Sequence, residues 1–295
     1  MKPVPFRYLA VESAAEAAAV LAQYGYEAKL LAGGQSLVPL LNFRLARPAV
    51  LVDISRIQDC REIQIEGESL ILGGLTRQRE VELSALVREH CPLLSEAAPY
   101  IGHVAIRNRG TVGGSLAHAD PAAELPALAV ALEAEFVLQS QSGTRTVPAA
   151  EFFLGVLTTA LQPGELLSQV RIPLSSTRSG HAFLEVARRH GDFALVGVAC
   201  LLSPAADRPE QIGSARLVLM GVGDVPVRAG AAETVLTGQT ASREAFQEAA
   251  AAVLDEIEPA ADLQASATYR RHLSGVLSYQ ALERAWERVG KEPMQ

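Results

Sequence analysis

Apolar and polar positions along the chain predict helices and short strands in alternation. Residues 13–16 read Ser-Ala-Ala-Glu, the pattern of a capping box, and the alanine-rich run after them predicts a helix that stops at Gly25. Short apolar runs at 29–31 and 50–54 predict strands. The first part of the chain therefore alternates between the two kinds of element.

The middle of the chain continues this alternation with predicted hairpins and helices. Strand-forming runs flank a central glycine at 62–72 and again at 135–147, which predicts two β-hairpins. Thr76 is of a type that caps helices, and a helix is predicted over roughly 77–90 after it. Another helix is predicted over 121–132, because proline favours the first helical position.

A polar stretch at 175–180 has the composition of a linker, and the pattern changes after it. Three strands are predicted first and three helices later, near 181–188, 194–202, 214–221, 229–236, 242–256 and 266–288. Strands followed by helices indicate an α+β domain with a three-stranded antiparallel sheet and a helical bundle. We therefore expect an α+β protein in three parts, at 1–55, 56–175 and 178–290.

Composition and charge exclude several classes of protein. Of the 295 residues, 49% are apolar, and the net charge of −7 disfavours a nucleic-acid-binding surface. No apolar run approaches the ~20 residues of a membrane span, and the first residues lack the apolar core of a signal peptide. Cys60, Cys91 and Cys200 lack the paired spacing of a metal site or a disulfide framework. We expect a cytoplasmic protein that binds no nucleic acid, does not span a membrane and has no metal site of its own.

Two glycine pairs with neighbouring hydroxyl groups are the most informative motifs. Residues 32–36 read Ala-Gly-Gly-Gln-Ser and follow a predicted strand, and residues 111–115 read Thr-Val-Gly-Gly-Ser. Glycine allows positive φ and close backbone approach, and successive free N–H groups suit phosphate oxygens. The first motif has neither the spacing of a Walker loop nor that of Gly-x-Gly-x-x-Gly. Two such loops, separated by a folding unit, predict a clamp on the pyrophosphate of a dinucleotide.

His118, Asp120 and Glu124 follow the second glycine motif. Carboxylates repel phosphate, so we expect the two acids to accept hydrogen bonds from sugar or ribityl hydroxyls. For Asp120 an alternative is that it caps a helix beginning at Pro121. For His118 an alternative is a surface or hydrogen-bonding role without a cofactor.

The order and spacing of these motifs resemble the FAD-binding medium subunit of molybdenum hydroxylases. That family includes the medium subunit of carbon monoxide dehydrogenase and, more distantly, the flavin domain of xanthine dehydrogenase. The resemblance covers essentially the whole chain and rests on the segments 32–37, 107–115, 117–124, 185–194 and 269–273. It implies a fold of the vanillyl-alcohol-oxidase (PCMH) type in two subdomains, a C-terminal domain, and FAD as the cofactor.

The resemblance also implies, position by position, which residues hold FAD. It implies that the first motif wraps the pyrophosphate, that Thr111 and Gly114 contact phosphate, and that Glu124 holds polar groups of the cofactor. Of Leu166 and Leu167, one is implied to touch the adenine or flavin region. The expected cofactor-binding residues are Leu30, Leu31, Ala32, Gly33, Gly34, Gln35, Ser36, Leu37, Ile101, Thr111, Gly113, Gly114, Ser115, His118, Asp120, Glu124, Leu166, Leu167, Glu185 and Phe193.

Two residues depart from the pattern of some relatives, which carry lysine near position 185 and tyrosine at position 193. This chain has Glu185 and Phe193 instead. A negative charge beside the flavin disfavours its anionic reduced form, so Glu185 is expected either to contact the cofactor or to turn away from it. Phe193 is expected to cover the isoalloxazine face, with a core position at the start of a strand as the alternative.

The resemblance implies an electron-transfer role for this chain. Electrons from a substrate hydroxylated at molybdenum on a large subunit would cross two [2Fe-2S] clusters on a small subunit and reach FAD here. They would then leave for an external acceptor. The implied assembly is a dimer of these heterotrimers, and we expect no catalytic side chain in this chain. Two alternatives stay open: a self-contained FAD-dependent oxidoreductase, and a nucleotide-binding regulatory protein without redox chemistry.

Overall fold

The computed structural model describes residues 2–174 and 179–291, so residues 175–178 of the predicted linker lie outside the described residues. The chain begins with a three-stranded parallel sheet in the order β1-β3-β2. Its strands and the two helices that connect them are β1 (Arg7–Ala10), α1 (Ala14–Tyr24), β2 (Ala28–Leu31), α2 (Leu37–Asn42) and β3 (Val50–Asp53).

The helix predicted after residue 13 is confirmed, including both of its ends. The hydroxyl oxygen of Ser13 accepts a hydrogen bond of 3.1 Å from the backbone N–H of Glu16. Gly25 ends α1 at a φ of +53°, a conformation that glycine adopts at low cost. The predicted strands at 29–31 and 50–54 correspond to β2 and β3.

A five-stranded antiparallel sheet in the order β4-β5-β10-β6-β7 forms the middle of the chain. Its strands are β4 (Ile63–Glu66), β5 (Ser69–Gly73), β6 (Glu135–Ser140), β7 (Gly143–Pro148) and β10 (Leu166–Pro173). The pairs β4–β5 and β6–β7 confirm the two predicted hairpins. A separate hairpin consists of β8 (Phe153–Gly155) and β9 (Thr158–Thr159).

Seven short helices accompany this sheet. They are α3 (Gln78–Leu83), α4 (Ala85–His90), α5 (Pro92–Ala97), α6 (Val104–Arg107), α7 (Val112–His118), α8 (Glu124–Ala131) and α9 (Ala149–Phe152). Single 3₁₀ turns lie at Gly25–Glu27 and Ala98–Tyr100.

The helix predicted over 77–90 is wrong in its continuity and in its N-terminal cap. The helix predicted over 77–90 is two helices, because Ser84 is extended and its hydroxyl caps α4 through the N–H of Val87 at 3.3 Å. Thr76 does not cap α3, which begins one residue later than predicted, at Gln78.

The helix predicted from residue 121 begins only at Glu124. Before it, Asp120 forms a turn in which its carboxylate accepts a hydrogen bond of 2.9 Å from the N–H of Ala122. The proposed capping of a helix at Pro121 by Asp120 is therefore wrong.

The last part of the chain is an antiparallel sheet in the order β11-β12-β13-β14, followed by three helices. The elements are β11 (Gly180–Ala187), β12 (Ala194–Pro204), β13 (Ile212–Met220), β14 (Val227–Arg228), α10 (Gly230–Leu236), α11 (Arg243–Val253) and α12 (Ala267–Glu287). The three predicted strands and three helices are confirmed, and the two-residue strand β14 is an addition that the sequence did not indicate.

Each face of this last sheet packs on a different partner. One face packs against α10, α11 and α12, and the opposite face carries Phe183, Val218 and Met220 into the core of the middle part. A backbone hydrogen bond also joins the last sheet to the middle part of the chain: the N–H of Gly221 donates to the carbonyl of Pro121 at 2.9 Å. This packing brings the loop after β11 against the turn at Gly102 and His103.

None of the helices in residues 2–174 and 179–291 combines the length and the apolar character that crossing a bilayer requires.

Candidate cofactor-binding site

The first glycine motif presents a row of free backbone N–H groups. It connects β2, which ends with Leu30 and Leu31, to α2, which begins at Leu37. In the part of the chain that the structure describes, the N–H groups of residues 33–36 donate no hydrogen bond to protein atoms. Gly34 turns the chain at a φ of +75°. Four consecutive free N–H groups form a nest that suits an anion such as a diphosphate.

The second glycine motif lies directly against the first. A Cβ atom built on Gly33 would lie 2.9 Å from the Cα of Gly110 and closer still to the carbonyl oxygen of Arg109. A Cβ atom on Gly114 would lie 3.7 Å from the Cβ of Ala32. The structure therefore brings together the two motifs that the sequence predicts to act as a pair. Gly33 is required for this close approach rather than for a positive φ.

The second motif does not present a row of free N–H groups, and the expectation of two similar nests is wrong. Among the described residues only the N–H of the buried Thr111 lacks a partner in this motif. The N–H of Val112 donates to the carbonyl of Thr76 at 3.0 Å, and that of Gly113 donates to the carbonyl of Gly74 at 2.8 Å. The N–H of Gly114 donates to the hydroxyl oxygen of Thr111 at 3.1 Å, which caps α7. The motif thus holds its own helix start in place and closes one side of the first motif.

Gly74 supports this arrangement from behind, a role that the sequence analysis missed. A Cβ atom on Gly113 would lie 2.7 Å from the carbonyl oxygen of Gly74, and one on Gly74 would collide with the carbonyl oxygen of Leu167. Leu166 and Leu167 are both buried in core clusters behind the second motif. Their contact with a cofactor stays a prediction.

Arg107 holds the turn that contains Ile101, one of the expected cofactor-binding residues. Its side chain is 4% exposed and donates to the carbonyl oxygens of Ile101 and Gly102, at 3.1 and 2.7 Å. The remaining nitrogens donate to both carboxylate oxygens of Glu82, at 2.7 and 3.2 Å. Burial raises the pKa of Glu82, but hydrogen bonds from Arg107 and Arg79 outweigh it and leave that pKa below its ordinary value. The sequence analysis did not predict that this arginine is buried and fully paired.

The loop between β11 and β12 lies against the same turn. Gly191 adopts a φ of +86°, and a Cβ atom there would lie 2.5 Å from the imidazole ring of His103 and 3.2 Å from the carbonyl carbon of Gly102. At the end of this loop the side chain of Phe193 is 64% exposed, and β12 begins at Ala194. The alternative that Phe193 packs in the core is therefore wrong, and its position over a flavin ring stays a prediction.

Two carboxyl groups from different parts of the chain have raised pKa values. Glu124, the first residue of α8, is 6% exposed. Burial raises its pKa to about 7, and the charge of Asp120 adds to this. On β11, the Oε2 atom of Glu185 is buried without a hydrogen-bond partner among the described residues. Burial raises the pKa of Glu185 to about 8, and the charge of Glu124 adds to it.

The other expected residues lie around the motifs. Gln35 donates from its side-chain amide to the carbonyl of Gly33 at 3.2 Å, while Ser36 is exposed before α2. Ser115 and His118 are half-buried on α7, and His118 ends that helix. Their contacts with a cofactor also stay predictions.

Comparison with known proteins identifies the family. Residues 4–175 match the family described as FAD binding domain in molybdopterin dehydrogenase. Residues 181–285 match the CO dehydrogenase flavoprotein C-terminal domain. The chain belongs to the family of FAD-binding medium subunits of CO dehydrogenase-like molybdenum hydroxylases, which are parts of oxidoreductase complexes. Its cofactor is FAD, and its fold is the predicted PCMH-type fold with a C-terminal α+β part.

Individual relatives match almost the whole chain. Subunit alpha of the 6-hydroxypseudooxynicotine dehydrogenase complex from Paenarthrobacter nicotinovorans is 40% identical over 98% of this chain and 97% of its own length. The carbon monoxide dehydrogenase medium chain from Hydrogenophaga pseudoflava is 39% identical over 98% of this chain and 99% of its own. A solved structure of carbon monoxide dehydrogenase from that organism superposes with a TM-score of 0.95, at 40% identity, over 98% of this chain and 100% of the other.

The residues present fit two chemically distinct parts of FAD, its diphosphate and its hydroxyl-bearing or polar ring groups. The free N–H groups of 33–36 suit the diphosphate. Glu124 is buried, and Glu185 is half-buried with its Oε2 atom unpartnered among the described residues. Such groups suit hydroxyl-bearing and polar ring atoms rather than phosphate.

Proposed function

We propose that this chain is the electron-transferring FAD subunit of a heterotrimeric molybdenum hydroxylase. The family membership supports this proposal, because its members are medium subunits of molybdenum-containing dehydrogenases. The observation that carries it is the nest at 33–36, closed on one side by the second glycine motif. A redox subunit must retain its flavin through many turnovers, and a preformed anion site retains the diphosphate without rearrangement.

Particular residues would hold FAD in this proposal. The N–H groups of the first motif would bind the diphosphate, with Thr111 and Gly114 at its other side. Glu124 and Asp120 would accept hydrogen bonds from hydroxyl groups of the cofactor. The turn at 101–103 and the loop that ends in Phe193 would line the flavin region. Bound FAD supplies the ability to take up electrons and pass them on singly or in pairs.

The proposed partners are a large molybdopterin subunit and a small subunit with two [2Fe-2S] clusters, assembled as a dimer of heterotrimers in the cytoplasm. The names of the relatives support a multi-subunit assembly, since one is called a complex subunit and another a medium chain. Electrons from the iron–sulfur clusters would enter this chain at FAD and leave for an external acceptor. Substrate recognition would then belong to the large subunit.

Co-purification tests this proposal. We expect the tagged chain, isolated from its native cells, to bring down a complex that contains FAD, molybdenum and iron. The same chain expressed alone is expected to bind one FAD and to contain neither metal.

Two outcomes would contradict the proposal and select an alternative. Turnover of an organic substrate by the isolated chain would favour a self-contained oxidoreductase. A colourless protein that binds no FAD under any condition would favour a regulatory protein.

A further inference from the structure

Arg270 is a buried arginine on α12, in one of the segments that carry the resemblance, and its side chain is 6% exposed. Its Nη1 atom donates to the carbonyl oxygens of Leu195 and Gly221, the latter at 3.2 Å. Its Nη2 atom donates to Oδ2 of Asp262 at 2.8 Å. Burying a guanidinium group is costly unless it is paired, and here three separate segments of the chain pair with it.

The first of these contacts falls on a β-bulge in β12. In the pairing of β12 with β11, Leu195 is the extra residue between the paired residues Ala194 and Val196. The ladder from β12 to β13 ends before it, at Gly197. A bulge leaves its extra residue outside the ladder and bends the strand. Arg270 therefore binds the residue that the pairing with β11 leaves over.

The bulge directly follows the loop at 188–193, whose last residue is Phe193. At the other end of the loop, Arg188 donates to the carbonyl of Gln264 at 2.9 Å. Gln264 lies in the turn before α12, which also contains Asp262. Both ends of the loop are therefore attached to this turn, one directly and the other through the guanidinium group that Asp262 binds.

Asp262 makes these two attachments with its two carboxylate oxygens. Oδ1 accepts hydrogen bonds from the N–H groups of Gln264 and Ala265, at 2.8 and 2.9 Å, which fixes the turn. Oδ2 accepts the hydrogen bond from Arg270. One carboxylate therefore holds the turn and the guanidinium group in a fixed relation.

The second carbonyl bound by Arg270 leads to the other side of the proposed flavin region. Gly221 has a φ of +76°, and a Cβ atom on it would lie 2.5 Å from the carbonyl oxygen of Leu195. Its N–H donates to the carbonyl of Pro121 at 2.9 Å, in the turn that begins with Asp120. Arg270 therefore joins the end of the loop to the turn that precedes α8.

We infer that Arg270 is a positioning residue, which fixes Phe193 over the flavin face and so limits the reaction of reduced flavin with oxygen. This inference rests on the proposed function, because it needs FAD beside Phe193. Arg270 acts only through Leu195 and Gly221. Without its hydrogen bonds the bulge and the loop before it are free to shift, and the ring no longer covers the flavin.

Reoxidation of the FAD-loaded chain tests the inference. In this reaction two electrons pass from the reduced flavin to O2, which takes up two protons in all and leaves as hydrogen peroxide, and oxidised flavin remains. Stopped-flow mixing of the dithionite-reduced protein with oxygen measures the rate.

Arg270→Met keeps the length of the side chain and removes all of its hydrogen bonds. Losing one hydrogen bond to a charged donor changes the balance between a held and a released loop by roughly tenfold or more. We expect reoxidation to be faster than in the wild type by about threefold or more, up to the rate of Phe193→Ala. Arg270→Lys should fall between the two, because an ammonium group lacks the planar fork that reaches all three partners.

Arg288→Met is the matched control, because Arg288 forms the same kinds of contact at the other end of α12. Its guanidinium group donates to the carbonyl of His181 at 2.8 Å and to the carboxylate of Glu96 at 2.7 Å. His181 lies at the end of β11 away from the loop. Both methionine variants are expected to lower the melting temperature, but only Arg270→Met should change the reoxidation rate.

Two further variants show the route by which Arg270 acts. If Arg270 only positions the ring, the double variant Arg270→Met/Phe193→Ala should be reoxidised at the rate of Phe193→Ala alone. Asp262→Asn serves if Arg270→Met does not fold. It removes the charge that holds Arg270, while the amide oxygen can still accept the N–H groups of the turn, so a smaller acceleration is expected.

The outcomes distinguish the inference from the proposed function. A wild-type rate in folded Arg270→Met, or in Asp262→Asn where only that variant folds, would overturn the inference and leave Arg270 with a structural role alone. Multiplied effects in the double variant, an unchanged rate in Phe193→Ala, or equal acceleration in Arg288→Met would overturn it as well. Failure of the wild type to bind FAD under any condition would overturn the proposed function itself.

Discussion

The contact between the two glycine motifs makes Gly33→Ala a sharp test of the site, because the change adds a single methyl group. The new Cβ would lie 2.9 Å from the Cα of Gly110 and nearer still to the carbonyl oxygen of Arg109. Both neighbours are backbone atoms, which cannot rotate away as the tip of a side chain can. One motif must therefore move relative to the other, and the nest must change shape.

The size of the effect follows from the cost of that movement. Adding a methyl group to a closely packed place costs roughly 1–3 kcal/mol. When this cost falls on the FAD-bound arrangement, the dissociation constant rises by about 5- to 150-fold, at ~1.4 kcal/mol for each factor of ten.

Titration of the apoprotein with FAD, followed by flavin fluorescence, measures this constant, and Gly155→Ala is the matched control. A Cβ atom on Gly155 meets no heavy atom within 4 Å, and its φ is not positive. The control should bind FAD as the wild type does, and thermal unfolding of both variants checks that they fold. The reasoning is refuted if folded Gly33→Ala binds FAD as tightly as Gly155→Ala.

Three further predictions follow from other parts of the site. Arg107→Ala should weaken FAD retention and cost about 1–3 kcal/mol of stability, since it removes the donor to the carbonyl oxygens of Ile101 and Gly102 and leaves Glu82 with Arg79 alone. Arg107→Lys should restore only part of both in urea unfolding and FAD titration, because lysine cannot make the two-pronged contact. The apoprotein should lose stability as the pH rises, because the folded pKa of Glu124, about 7, lies above the value of 4.5 for the unfolded chain. The contribution of Glu124 to the free energy of unfolding is fully present below pH 4.5 and is lost as the pH rises through 7, by about 3 kcal/mol. Urea unfolding at pH 5 and pH 8 should show this loss. An equal loss in Glu124→Gln would contradict the prediction. Phe193→Ala should keep most FAD and the wild-type melting temperature, because the ring is 64% exposed, but reoxidation of the reduced flavin by oxygen should be faster in stopped-flow measurements. An unchanged rate would show that the ring does not shield the flavin.

Local sequence signals predicted the parts of the fold that depend on neighbouring residues. Helix α1 carries its own capping group in Ser13 and its own stop in Gly25, so both ends could be predicted. The hairpins were predictable for the same reason, since each consists of two strand-forming runs and a short turn.

Features set by distant partners could not be predicted in this way. The two glycine motifs have similar sequences, yet only the first has a row of consecutive free N–H groups, because the carbonyls of Thr76 and Gly74 accept hydrogen bonds from the second. Helix α8 begins later than predicted, because the carboxylate of Asp120 accepts a hydrogen bond from the backbone N–H two residues ahead rather than capping a helix. Arg107 is followed in the sequence by Asn-Arg-Gly at 108–110, which is typical of an exposed turn, while its half-buried partner Glu82 lies 25 residues away.

The shared core between the middle part and the last sheet has a consequence for how the protein is made. Phe183 stacks edge to face on Tyr100, with ring centroids 5.3 Å apart, and Val218 and Met220 join the same cluster. A chain still on the ribosome after residue 174 lacks all three of these C-terminal residues, and the apolar surface that they cover is bare. Aggregation is a hazard at that stage, because exposed apolar surface associates readily. We therefore expect FAD to be captured after the last sheet has been synthesised, since Glu185 and the loop to Phe193 arrive only with it.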